Sequence, residues 1–163
     1  MKKLLALLAV VLCVVSCQTE PEGLDVNVGG EIDAIVNVTI PEAETRATNS
    51  AEGAFKNVDF SRYTIRYILQ VYYNNEPSQE RLVKYSDDKS VAFDVRLVPG
   101  RDYNFVVWAD IVEGNNYVDN QWSNDDDLHY NTTNLHEIKL NDTWVAMDET
   151  RDAYTGLLRI SDF

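Results

Sequence analysis

Cysteine is almost missing from this 163-residue chain: Cys13 and Cys17 stand near its start and no other follows. That excludes a disulfide framework and a thiol nucleophile from everything after residue 17, and leaves stability to packing and strand pairing. Histidine is nearly as scarce. A metal site would need His129 and His136 to converge with carboxylates, and both read as surface residues. Positive charge is short as well, with 14 Lys and Arg against 27 Asp and Glu and a net charge of −13. Such a surface repels nucleic acid and acidic membranes, and no basic patch offsets it. The chain lacks a Gly-x-Ser-x-Gly elbow, a glycine-rich phosphate loop and a dinucleotide fingerprint. Asp125, Asp126 and Asp127, with Asp119 nearby, lack the alternating ligands, central glycine and final glutamate of a calcium loop, and read as a solvated acidic loop. An acid-rich surface makes chance carboxylate pairs common, so such pairs do not by themselves argue for glycoside hydrolysis. The expectation is a protein that is not an enzyme, with no cofactor and no metal. Helical periodicity and internal repeats are also absent.

The chain begins Met1-Lys2-Lys3, followed by the apolar run Leu4–Val15, then Ser16 and Cys17. The run is too short to span a bilayer, which takes about 20 residues, and fits the core of a signal peptide. Val14-Val15-Ser16-Cys17 resembles a bacterial lipobox, with Val14 where leucine is usual. The expectation is a signal peptide over 1–16 and a lipid on Cys17 that holds the protein to the outer membrane. Its removal takes away Lys2 and Lys3 and no acid, so a net charge of −13 becomes −15. Residues 17–30, polar with Pro21, Gly23, Gly29 and Gly30, read as a tether. Glu20 and Glu22 in it resemble the acidic signals that route some Bacteroidales lipoproteins to the cell surface.

From there the chain is patterned for strands. In 31–40, Ile32, Ala34, Val36, Val38 and Ile40 alternate with Asp33, Asn37 and Thr39, the period of a half-buried strand, and Pro41 ends it. Residues 41–54 are small and polar, an exposed loop open to proteases, and Arg46 in it is the only base between residues 4 and 55. Further strands are expected over 62–73, 79–85, 90–97, 101–112 and 135–140, with a last one beginning at Leu157. Residues 113–134 read as a long polar loop and 144–156 as irregular. Short strands with frequent turn signals make an all-β, antiparallel β-sandwich, here over 51–163 after a first strand and loop in 31–50. Trp108, Trp122 and Trp144 belong by default to a core. Trp122, in the polar loop, is the best placed for exposure and for contact with a glycan. Asn131-Thr132-Thr133 fits a glycosylation sequon, which a bacterial chain leaves uninformative.

Two stretches carry a resemblance. Leu97-Val98-Pro99-Gly100-Arg101-Asp102-Tyr103-Asn104-Phe105-Val106-Val107-Trp108-Ala109-Asp110 and Arg151-Asp152-Ala153-Tyr154-Thr155-Gly156, together with the lipobox and the Arg46–Ala47 bond, resemble the fimbrillin-like lipoproteins of Bacteroidales, the type V pilus subunits and their relatives. The resemblance implies a transthyretin-like, Greek-key sandwich, a surface location, and cleavage after Arg46 by an arginine-specific protease. Cleavage would free the first strand, whose Ile32, Ala34, Val36, Val38 and Ile40 plug a groove that a strand of a neighbouring subunit then fills. Pilus subunits of that kind usually carry a second domain and a donor segment, so by family pattern this sandwich is incomplete at its carboxy end. The rival expectation is a lipid-anchored adhesion module that binds host proteins or glycans without polymerising.

Overall fold

The computed structural model describes residues 30–41, 55, 57–114, 117–143, 145 and 148–163. Cys17, Arg46, Ala47 and Trp144 lie outside them. Nine strands follow in order: β1 (Ile32–Thr39), β2 (Tyr63–Tyr73), β3 (Glu76–Pro77), β4 (Leu82–Ser86), β5 (Ser90–Leu97), β6 (Tyr103–Glu113), β7 (Tyr130–Asn131), β8 (Lys139–Leu140) and β9 (Ala153–Ile160). The only helical elements among the described residues are the short 3-10 turns Asn124–Asp126 and Glu149–Arg151, and none is long and apolar enough to cross a membrane.

The chain is an antiparallel β-sandwich of two unequal layers. In the larger, β2 pairs with β6 and β6 with β9, while β3 and β4 share the other side of β2. The smaller layer is β1 on β5 alone. Turn chemistry fixes the joints. Asn74 and Asn75 both take positive φ, 51° and 65°, the two-residue turn whose twist suits a hairpin, and Tyr73 pairs with Glu76 across it. Pro99 precedes Gly100 at φ 76°, the left-handed position glycine takes without strain. Tyr103 closes this turn by accepting the Val98 N–H at its hydroxyl, 2.8 Å.

Between the layers lies the main core. The odd-numbered residues of β2, Ile65, Tyr67, Leu69 and Val71, meet Phe93, Val95 and Leu97 of β5 and Tyr103, Phe105, Ala109 and Ile111 of β6. Period-two patterning accounts for this face.

The even-numbered residues of β2 are buried too, contrary to a sheet with one face in water. Residues 117–143, where a long polar loop over 113–134 and a short strand over 135–140 are expected, fold across the outer face of the larger sheet. Leu135 is buried there against Ile68, Tyr72, Val83, Val106 and Trp108, with Trp122, Tyr130 and Ile138 around them. The cap also closes one edge of the sheet. Asn120 donates its N–H to the Val83 carbonyl at 2.8 Å, and the Asn120 and Asp119 side chains accept the N–H groups of Val83 and Tyr85. Within the cap only Lys139–Leu140 of the expected 135–140 strand is extended. The final strand begins at Ala153 rather than Leu157, because register with β6 holds Ala153-Tyr154-Thr155-Gly156 in the ladder.

Candidate functional site

Strand β1 carries the residues expected to form a plug, and its side chains divide by depth. All eight residues are in register with β5, from Ile32 opposite Leu97 to Thr39 opposite Ser90. Val36 and Ile40 reach the core at 7% and 3% exposure. Ala34 and Val38 pack against it half-buried. Ile32, at the rim, keeps 46% exposure, and Ile35 points outward at 55%. Beyond the ladder, Ile40 donates its N–H to the Lys89 carbonyl. The remaining cross-strand contacts are exposed: Asp33 with Arg96 at 3.6 Å, and the hydroxyls of Thr39 and Ser90 at 2.7 Å. Ion pairs so exposed add little. Two deep side chains, worth about 1.5–3 kcal/mol each when fully buried, and one backbone ladder hold the strand.

A second assembly, unforeseen in the sequence, lies under the cap. Arg66, mid-strand in β2, is fully buried. It donates from Nε and Nη2 to Asp110 at 3.0 and 2.7 Å, and Nη1 lies 2.8 Å from Asp127 Oδ1. Asp127 also accepts the backbone N–H and hydroxyl of Thr132, whose hydroxyl in turn accepts the Trp122 indole N–H. Burial opposes charge on Arg66, but Asp110 and then Asp127 more than offset it and hold the guanidinium above its ordinary range. Burial pushes the Asp110 carboxyl up against the pull of Arg66. The Asp125–Asp127 run is therefore not simply a solvated loop: Asp127 keeps 3% side-chain exposure. Trp122, expected exposed, is half-buried, with one ring face under the Arg81 guanidinium at 4.5 Å. Arg81 also donates to the carbonyls of Thr132 and Thr133.

His129 corrects a further expectation. It is buried at 8% exposure, and its ring joins a clamp between the cap and the start of β9. Nδ1 lies 3.1 Å from Asp142, a carboxylate that can only accept, and Nε2 lies 2.8 Å from the Thr150 hydroxyl. That hydroxyl donates to Asp148 at 2.5 Å. The pattern is complete when the ring donates from both nitrogens. Arg151 closes the clamp with two bonds to Asp142 and one to Asp148. Asp, His and a hydroxyl in line suggest a hydrolytic triad, but the Thr150 proton is committed to Asp148 and Arg151 covers Asp142, so the chemistry here is fastening. His136 is exposed, as expected, and lies against the Tyr72 ring at 4.5 Å. No group of three or more acids, histidines or cysteines among the described residues is placed to hold a metal ion.

The clamp has a testable acid limit. Arg151, then His129, hold the Asp142 carboxyl at about 2, and bonds from Thr150 lower Asp148. A depressed carboxyl contributes stability that is complete above its ordinary range, near 4, and is lost as pH falls through its folded value. The side-chain carboxyl signal of Asp142 should therefore titrate with a midpoint near pH 2. A midpoint at the ordinary carboxylate value would contradict the clamp.

One shallow polar cleft, lined by Thr64, Tyr85, Ser86, Asp87 and Tyr117, opens beside β4. Its two phenol rings stack on each other at 4.3 Å, and their hydroxyls bond Asp126 and the Glu113 carbonyl, so their binding capacity is used internally.

No curated protein and no solved structure matches the chain. A family model described as a family of unknown function, DUF6562, matches residues 25–161, a span that takes in every strand from β1 to β9. The chain belongs to that family, DUF6562.

Proposed function

We propose that this protein is a surface-exposed, lipid-anchored subunit or accessory subunit of a fimbrillin-like pilus, in which β1 is a removable strand. Cys17 carries the lipid, cleavage between Arg46 and Ala47 separates β1 from the body, and a strand of a neighbouring subunit takes its place. The observation that supports this reading is the way β1 is held. Among the described residues it pairs with β5 only, yet Val36 and Ile40 reach the main core. Its departure would bare the edge of β5 and an apolar slot beneath, which is the setting for strand addition. The cap and clamp hold the opposite side of the larger sheet independently of β1, so the body has its own means of staying folded. The adhesion-module reading has less support, since Trp122 has one face taken by Arg81.

A strand-uptake experiment tests this. The chain is cut with an arginine-specific protease and mixed with a labelled peptide of residues 31–41. Cut chain should take up the peptide and raise its fluorescence anisotropy, while uncut chain should not. Equal uptake by both, or none by a cut chain that stays folded, would reject the proposal.

A further inference from the structure

One pair on the outward row of β1 and β5 is mismatched. The ladder sets Asp33 opposite Arg96, Ile35 opposite Asp94, Asn37 opposite Ala92 and Thr39 opposite Ser90. Asp33 and Arg96 are opposite in charge and 3.6 Å apart, and the Thr39 and Ser90 hydroxyls share a hydrogen bond. Asn37 and Ala92 are both small and neutral. Ile35 is different: an aliphatic side chain, 55% exposed, set against an exposed carboxylate. It buries little there and gives Asp94 no bond. Among the described residues the Asp94 side chain has neither an ion pair nor a hydrogen bond.

We propose that the strand which replaces β1 carries a lysine or arginine opposite Asp94, and that Asp94 together with Arg96 selects that strand and its register. The proposal rests on the strand-exchange reading above and names the chemistry of the incoming strand. The inward row of that strand is apolar, as Ala34, Val36 and Val38 are opposite Val95, Phe93 and Val91. Its outward row puts an acid opposite Arg96 and, two residues on, a base opposite Asp94. A slip of one residue would turn the apolar row to water. A slip of two keeps the faces, but it sets the acid against Asp94 in one direction and the base against Arg96 in the other. Like charges directly opposite are destabilising, so the unslipped register alone satisfies both rows. β1 has the acid, Asp33, and lacks the base. It is therefore held in register yet open to replacement by a strand that has both. Each exposed pair is weak, and it acts through the difference between competing strands.

Peptide variants in the uptake assay test this. Labelled peptides of residues 31–41, unaltered or with Ile35→Lys or Ile35→Glu, are titrated into the cut chain and into a cut Asp94→Lys chain. The parent chain should bind the Ile35→Lys peptide about two- to fivefold more tightly than the unaltered one, and the Ile35→Glu peptide more weakly by a similar factor. Asp94→Lys, a change at an exposed position, should reverse that order. General attraction of a basic peptide to an acidic chain would leave the order unchanged, because the Asp94→Lys chain is still strongly acidic. If Asp94→Lys fails to fold, Asp94→Asn decides, and it should erase the preference. Equal uptake of all three peptides by the parent chain, or the parent order kept by the Asp94 variants, would overturn the proposal and leave strand exchange standing. No uptake of any peptide by a folded cut chain would reject both.

Discussion

Arg66→Ala should lower the unfolding free energy by about 3–5 kcal/mol, the usual penalty for removing one partner of a buried ion pair. Domains of this size are typically stable by about 5–15 kcal/mol, so the variant should stand near the edge of folding. The reason is local. Among the described residues Arg66 is the one cation ion-paired with both Asp110 and Asp127, and without it two carboxylates stay buried. Both ends of the structure should respond, because Asp127 also ties Thr132 and, through it, Trp122. Asp127→Ala should cost less, loosening the cap while Arg66 keeps Asp110. The deficit of Arg66→Ala should widen with rising pH. A carboxyl whose folded value is raised by burial is protonated comfortably at low pH and becomes a buried charge above its unfolded value near 4. Denaturant midpoints at pH 4 and 7, read by tryptophan fluorescence, check both statements. A loss below about 1 kcal/mol at pH 7 would mean that Arg66 is not the pin of the cap.

Val36→Asp with Val38→Asp should undock β1 from the uncut protein. Val36 opposes Phe93 in the ladder and is buried at 7% exposure. Losing its burial removes about 1.5–3 kcal/mol, the half-buried Val38 adds a smaller amount, and each new carboxylate resists burial. The total should be about 3 kcal/mol or more, enough to free a strand held by two deep side chains and a ladder. Amide exchange gives the discriminating readout. Protection should fall along β5, the strand bared by the loss, and persist along β2 and β6, which lie in the other layer. If the uncut double variant keeps the parent's stability, β1 does not plug the core.

Much of this fold was legible as alternation. The run 31–40 became β1, and Ser90–Leu97 became β5 with the same bounds, because one face of each meets the core and the other meets water. The second core was not read, because residues 113–143 are polar in composition and a handful of apolar anchors in them carries no period. Its signal was in the partner strands. Ile68 and Tyr72 in β2, and Val106 and Trp108 in β6, occupy the face that simple alternation assigns to solvent, and apolar residues on both faces mean that both are covered. Arg66 in the middle of an apolar strand was the matching sign of a buried counter-charge. His129 gave no such sign, since Asp142, Asp148 and Arg151 reach it only through the path of the cap. The start of β9 was missed because Thr155-Gly156 weakens the local pattern and pairing with β6 supplies what propensity does not. Cys17, Arg46 and Ala47 rest on motif and resemblance alone.

The most direct test of the removable-strand account is the intact mass of the protein isolated from its own cells. The account predicts a mature species that begins at Ala47, cut after Arg46, in which β1 has parted from the body. A mature species that begins at lipidated Cys17 and keeps the Arg46–Ala47 bond would contradict it, and the protein would then be read as a permanently anchored binding module.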